Sequence, residues 1–396
     1  MTKNKYVVIF DLFGTILDDI ENNWQKSLEF LKNYVLSETT EDEILKVSDE
    51  FRTKYMSNRS ITYQEAKMTD QLLLFKERIG FKNLHTIDYI EYQTFKAGRI
   101  NKLSKGTIEI LRFLKDKDYD LYVMSNTIYS VSTIKKYIKE FGILEFFEGV
   151  FTSSDFGYRK PSDKFFGYVY DQISKKTQIA KEDIFFIGND LAKDVVGSKM
   201  FGFSPFWVSS NDDGVGESIT NCVRVKDLKH FYNYLVNNYI YLCGIQNQYS
   251  TSDGPGNRLV VYFQGCDVKC EGCHNQDSWN INQGVRFSIN QLTMTIITKL
   301  SRYVRNVTIS GGEPIYQEKA LKNLLIKLKK ANLNICLYTS YEFFEVSDSI
   351  KKYLNYLKTG RYVKELRTTT NGYFGSSNQR MWVKEEENNW IEMQIK

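Results

Sequence analysis

Gly265-Cys266-Asp267-Val268-Lys269-Cys270-Glu271-Gly272-Cys273-His274-Asn275 carries three thiols in a C-x3-C-x2-C spacing, directly after the apolar run Leu259-Val260-Val261-Tyr262-Phe263. The run reads as a buried strand, so the thiol loop leaves a strand end, where α/β folds place their chemistry. Cys thiolate is the usual ligand of iron–sulfur clusters. Three thiolates on one short loop can hold three irons of a [4Fe–4S] cluster and leave the fourth iron open. Zinc is one alternative, but a structural zinc site wants four ligands, and His274, adjacent to Cys273, is poorly placed to be the fourth. A disulfide is the other, and it would leave an odd thiol on the loop.

Upstream lies Asp253-Gly254-Pro255-Gly256-Asn257-Arg258, a turn-forming run. Downstream, Val307-Thr308-Ile309-Ser310 reads as a strand ending in Gly311-Gly312-Glu313-Pro314. Its glycines permit close backbone approach, and Glu313 offers a carboxylate for a charge-assisted hydrogen bond. Asn334-Ile335-Cys336-Leu337-Tyr338-Thr339 is the next strand, with Cys336 as a buried hydrophobe. Leu357-Lys358-Thr359-Gly360-Arg361-Tyr362 and Gly375-Ser376-Ser377-Asn378-Gln379-Arg380 follow.

Together these motifs resemble the radical S-adenosylmethionine (SAM) superfamily over about residues 240–390. Within it they are most similar to the activating enzymes of glycyl radical enzymes, in particular those of anaerobic ribonucleotide reductase. The resemblance implies that Cys266, Cys270 and Cys273 bind a [4Fe–4S] cluster and that Ser310, Gly311, Gly312 and Glu313 bind SAM, Glu313 through the methionine ammonium. Asp253 and Arg258 are the implied contacts to the partner's glycine segment. The implied activity is reductive cleavage of SAM to a 5′-deoxyadenosyl radical, with flavodoxin or ferredoxin as reductant and a glycyl radical enzyme as partner. The superfamily's usual architecture is a partial parallel (β/α) barrel.

The first half starts with the apolar run Tyr6-Val7-Val8-Ile9-Phe10, followed at once by Asp11. An Asp at the carboxyl end of a first buried strand is placed as a nucleophile, a metal ligand or simply a helix cap. Leu121-Tyr122-Val123-Met124 ends in Ser125-Asn126, Lys160 lies in the loop Gly157–Pro161, and Ile184-Phe185-Phe186-Ile187 ends in Gly188-Asn189-Asp190, with Asp194 beyond. This order resembles the haloacid dehalogenase (HAD) superfamily over about residues 5–235. The resemblance implies Asp11 as nucleophile, Ser125 and Lys160 as oxyanion neutralisers, and Asp11, Asn189, Asp190 and Asp194 as the set around Mg²⁺. Phe13 departs from it, standing where phosphatases of this family carry a general acid. General acid catalysis is worth about 10²–10⁴-fold, so efficient phosphomonoesterase chemistry is in question. An aromatic there is closer to the metal-free haloacid dehalogenases, whereas the fourth motif, Asn189, Asp190 and Asp194, resembles the phosphatase branch.

Between Asp11 and Ser125 the sequence reads as helical. Trp24, Leu28, Leu31 and Val35 share a spacing, Thr40-Glu41-Asp42-Glu43 is a capping box before Ile44, Leu45 and Val47, and Leu72–Phe75 and Ile87, Ile90 and Phe95 continue the pattern. This resembles a helical cap over about residues 19–103, with Tyr55, Tyr63 and Tyr92 as candidate pocket aromatics. Ser204–Val208 reads as the last strand and Val225–Tyr239 as a closing helix. That places the boundary between a HAD-like domain (1–238) and a radical SAM domain (239–396) near Asn238.

The expected fold class is thus α/β throughout: a HAD-like Rossmannoid domain with a helical cap, then a partial barrel. With 396 residues and 42% hydrophobic content the chain can build two real cores. A net charge of +5 with the signs interleaved offers no stripe for nucleic acid. Six cysteines, three of them clustered, fit a reducing cytoplasm better than a disulfide scaffold. Met1-Thr2-Lys3-Asn4-Lys5 leads into an apolar segment too short for a signal peptide or a membrane span. Two other functions stay open: the HAD part as the main enzyme with an accessory radical domain, or a metal-binding tether without SAM turnover.

Overall fold

Tyr6–Phe10 has no polar face to offer water, and it forms a strand, β1, buried along its whole length. The structure, a computed structural model, describes residues 6–82, 85–210, 222–368, 372–386 and 389–394, so Met1–Lys5 lies outside the described residues. Two compact units emerge, Asn4–Tyr232 and Asn233–Lys396, and the division falls inside the helix Leu228–Asn238.

In the first unit, β2 (Leu17–Asn22) and β3 (Arg99–Leu103) form an antiparallel pair that brackets the cap helices Trp24–Leu31, Glu41–Phe51, Met68–Arg78 and Ile87–Ala97. The chain then adds β4 (Tyr119–Ser125), β5 (Gly149–Thr152), β6 (Ile184–Gly188), β7 (Ser204–Val208) and β8 (Val223–Val225). With β1 these make a parallel sheet in the order β5-β4-β1-β6-β7-β8. The strand order reverses on either side of β1, and the crevice at such a switch point is where doubly wound sheets bind ligands.

The cap has its own core, in which Leu28, Leu31, Val35, Ile44, Val47, Leu72 and Phe75 pack together. The capping box at Thr40 and Glu43 forms as expected. Trp24, Leu45 and Leu73 instead remain exposed. Leu45 and Leu73 are next-door neighbours of buried residues, and successive positions on a helix point about 100° apart. Ser204–Val208 is not the last strand, because β8 follows it. The closing helix runs only over Leu228–Asn238, with Val225 in β8 and Tyr239 starting the next strand.

The second unit contains β9 (Tyr239–Ile245), β10 (Leu259–Phe263), β11 (Val285–Ser288), β12 (Asn306–Gly311), β13 (Asn334–Tyr338), β14 (Tyr356–Thr359), β15 (Arg380–Glu386) and β16 (Asn389–Glu392). They form one sheet in the order β11-β9-β10-β12-β13-β14-β15-β16. Its centre, β10-β12-β13-β14, is parallel, and the flanking strands are antiparallel. The helix Glu318–Lys330 buries Leu321, Leu324, Leu325 and Leu328 in a core shared with Val261, Ile309 and Ile335. The parallel strands therefore point their carboxyl ends the same way, delivering the cysteine loop, Gly311, Thr339 and Gly360 to one end of the sheet. Among the described residues no helix is long and apolar enough to cross a membrane.

Candidate functional sites

The cysteine loop is held by its backbone before any ligand is considered. Gly265 N–H donates to Ser278 O (2.6 Å), Cys266 N–H to Trp279 O (3.0 Å), and the Gln264 side-chain amide to the carbonyls of Asp277 (2.7 Å) and Asn280 (2.9 Å). Lys269 and Gly272 adopt left-handed backbone, which lets so short a loop reverse twice. Burial raises the pKa of the Cys266 thiol, and the amides of Lys269 and Val268 pull the other way. Cys266, Cys270, Cys273, Ser310, Gly311 and Gly312 line one cavity of about 370 Å³.

The donor set fits a [4Fe–4S] cluster. Three thiols on one loop that line one cavity are the donors such a cluster takes. A [4Fe–4S] cluster gives each thiolate its own iron.

Gly311 and Gly312 approach the cysteine loop itself. A Cβ on Gly311 would lie 2.4 Å from Phe263 N and O, and one on Gly312 would lie 2.5 Å from Gly265 O. Gly312 N–H donates to Phe263 O and Glu313 N–H to Gly265 O, each at 2.9 Å, clamping the two loops together. Glu313, expected to meet the cofactor's ammonium, is fully buried and turned away from the cavity wall. Its Oε1 accepts from Thr339 Oγ1 (2.8 Å) and Ile315 N–H (3.0 Å), and its Oε2 accepts from Ser340 N–H (2.7 Å). Burial raises its pKa, and those donors lower it. It braces the end of β12 against the end of β13.

Asp253 lines the cavity, its Oδ2 accepting from Ser250 Oγ at 2.5 Å. Arg258, expected to touch substrate, does not reach the cavity surface. It is fully buried, and its guanidinium donates to Thr308 Oγ1 (2.7 Å) and to the carbonyls of Pro255 (2.9 Å), Val307 (2.9 Å) and Asn334 (3.0 Å). It staples the turn 253–258 to the starts of β12 and β13. The sequence reading passed over Thr339, Ser340 and Lys358, which line the cavity at the ends of β13 and β14. Their signal was positional, a polar residue closing a parallel strand. Lys358 makes no ion pair among the described residues. Burial pushes its pKa down to about 8, against the opposing pull of Cys336 and Asp253.

In the first unit, Asp11 directly follows β1, and its Oδ1 lies 2.7 Å from Lys160 Nζ, which also lies 2.7 Å from Asp194 Oδ1 and donates to Met124 O at 3.0 Å. All three side chains are buried. Asn126, just after β4, exchanges two hydrogen bonds with the Lys160 main chain (2.8 and 3.0 Å), fixing that loop beside buried Ser125. Burial raises the pKa of Asp11 to about 6 against the pull of Lys160, with Asp194 adding to the rise. For Lys160, burial lowers the pKa, but the two carboxylates outweigh it and the net shift is upward.

The expected Mg²⁺ set does not assemble. Asp190 is a helix cap accepting from the amides of Ala192 (3.1 Å) and Lys193 (2.9 Å), and it pairs with the Lys193 ammonium. Lys160 Nζ fills the space between Asp11 and Asp194, and Asn189 Oδ1 faces Thr15 Oγ1 at 3.3 Å. As placed, these residues do not fit a divalent cation. Tyr55 and Tyr63 are exposed and Tyr92 is bonded to Glu140. The cap cavity is lined instead by Trp24, Arg52, Met56, Met68 and Tyr129.

Comparison with known proteins matches residues 8–208 to the haloacid dehalogenase-like hydrolase family and residues 252–382 to the 4Fe-4S single cluster domain. The anaerobic ribonucleoside-triphosphate reductase-activating protein of Enterobacteria phage T4 is 33% identical over 148 residues, 36% of this chain and 90% of that protein. The pyruvate formate-lyase 1-activating enzyme of Escherichia coli K12 is 36% identical over 95 residues, 23% of this chain, and the chain spans only 38% of that enzyme's length. Among solved structures, the putative HAD-hydrolase YfnB from Bacillus subtilis aligns with 59% of this chain and 99% of its own, at 20% identity and a TM-score of 0.36.

Proposed function

We propose, on the premise that this chain belongs both to the haloacid dehalogenase-like hydrolase family and to that of the anaerobic ribonucleoside-triphosphate reductase-activating proteins, that it is a radical SAM activase fused to a hydrolase. The observation that carries the first activity is the shared cavity in which three thiols and the Ser310–Gly312 strand end face one another. Once bound, a [4Fe–4S] cluster and SAM supply the reductive cleavage that yields a 5′-deoxyadenosyl radical. Cys266, Cys270 and Cys273 would hold the cluster. The Ser310–Gly312 backbone, Thr339 and Ser340 would bind and orient SAM, and Lys358 would offer a cation to an anionic group of it. Asp253, on the same wall, would meet the partner's glycine segment. Glu313 and Arg258 serve by keeping these elements in place.

The name of the phage relative points to anaerobic ribonucleotide reductase as the partner. Flavodoxin or ferredoxin is the proposed reductant and a reducing cytoplasm the setting. The test is anaerobic reconstitution with iron and sulfide, followed by electron paramagnetic resonance with and without SAM and with anaerobic ribonucleotide reductase. A reduced-cluster signal that SAM perturbs, and then a glycyl radical on the reductase, is expected. A protein that takes up zinc and no cluster would overturn the reading.

For the hydrolase, Asp11 would attack an electrophilic carbon or phosphorus, Ser125 and Lys160 would neutralise the developing oxyanion, and Asp194 would hold Lys160 in position. No step is assigned to Mg²⁺. Asp11→Asn should abolish hydrolysis while leaving SAM cleavage intact.

A further inference from the structure

The cap is fastened to the body of the first unit at a buried carboxylate that this chemistry has not used. Glu65 lies just beyond the short helix Arg59–Thr62, and its side chain is 1% exposed. Oε2 accepts from Ser153 Oγ at 2.8 Å. Oε1 accepts from Ala66 N–H at 3.2 Å and from Arg59 Nη1 at 3.4 Å, with Arg159 Nη1 at 3.6 Å. Ser153 follows β5 directly and is fully buried. Its hydroxyl has one proton, and the carboxylate takes it, because Thr127 O, 3.1 Å away, already accepts from Ser154 N–H. A hydroxyl lone pair is thereby left for Thr127 N–H, at 2.9 Å.

Both ends of this arrangement lead to the hydrolase site. Thr127 is next to Asn126, whose side chain holds the Lys160 main chain, and Asn126 is next to Ser125. Arg159 precedes Lys160, and its N–H donates to Tyr63 O at 2.8 Å, while Glu65 N–H donates to Gly157 O at 2.9 Å. Tyr63 offers that carbonyl from left-handed backbone, φ 55°, which L residues rarely adopt. Met68 N–H continues the seam to Ile128 O at 2.7 Å. An apolar side chain in place of Glu65 would escape the cost of burying a carboxylate. It could neither direct the Ser153 hydroxyl nor balance two arginines.

We propose that Glu65 is a positioning residue of the hydrolase: from the cap, it fixes the register of the two loops that carry Ser125 and Lys160. This rests on Asp11, Ser125 and Lys160 as the reacting groups of that site. Glu65 acts on one loop through Ser153 and Thr127, and on the other through Arg159.

The full-length protein should be compared with its Glu65→Ala, Ser153→Ala and Glu91→Gln variants by amide hydrogen exchange. Glu91 is the control, a fully buried cap carboxylate that accepts from Ser130 N–H (2.6 Å) and Ser130 Oγ (3.1 Å) instead. Exchange should quicken about tenfold over both 125–128 and 157–160 in Glu65→Ala, and over 125–128 alone in Ser153→Ala. Glu91→Gln should leave both stretches as in the native protein. Where turnover of 2-chloropropionate or 4-nitrophenyl phosphate is abolished by Asp11→Asn, Glu65→Ala should lower kcat about tenfold with KM unchanged. The acid limb of kcat/KM should move to higher pH, since Lys160 is the charge that opposes burial and Asp194 at Asp11. Glu65→Gln keeps an acceptor for Ser153 and should recover part of the loss. Native exchange in both loops of Glu65→Ala overturns the proposal, as does equal quickening in Glu91→Gln or an acid limb that stays in place. Absence of any Asp11-dependent turnover is a failure of the hydrolase reading instead, and the exchange comparison then decides by itself whether Glu65 fastens the loops.

Discussion

Asp11 titrates under opposed forces: burial and Asp194 favour its neutral form, while Lys160 favours the carboxylate, and the balance stands at about 6. A nucleophile must be ionised, so hydrolysis is low on the acid side and kcat/KM rises with pH through about 6. Asp194→Asn removes a negative neighbour and should move that limb to lower pH; a limb at the ordinary carboxylate range in the native protein would contradict the burial argument. Glu313 is a second case at this scale. Its oxygens accept from two amides and a hydroxyl, so Glu313→Gln sets a donor against a donor. Chemical denaturation should show a loss of about 1–3 kcal/mol, the usual penalty for stranding a buried polar group. Unchanged stability with weakened SAM binding would return Glu313 to the role of a ligand.

At the scale of elements, the join between β10 and β12 decides whether the site exists. Gly311 sits at φ +108°, and its missing Cβ is the space that Phe263 occupies. Gly311→Ala should separate the two loops, so that the purified variant fails to retain iron after reconstitution. Gly244→Ala, in β9, has nothing within 4 Å to meet and should retain iron as the native protein does. Equal iron content in the two variants would mean that the clamp is not needed. Strands and cap helices were legible because apolar runs and helical spacing report burial directly. The partners of Glu313 and Arg258 were not, since Thr339 and Asn334 lie on strands far along the chain, and a sequence does not reveal which residues a parallel sheet brings side by side. Asp190 misled for a related reason: a helix cap and a metal ligand call for the same side chain.

For the whole molecule, two units with separate cores hold two candidate sites, one a buried carboxylate–lysine–carboxylate row and one a thiol-lined cavity. The central claim is that the thiols of the second unit support SAM cleavage. It is tested most directly by measuring 5′-deoxyadenosine released from SAM by the dithionite-reduced, anaerobically reconstituted protein, beside its Cys270→Ala variant. Sustained release by the native chain and none above background from the variant is the expected result. Equal release from both, or none from a native chain carrying its full complement of iron and sulfide, would contradict it.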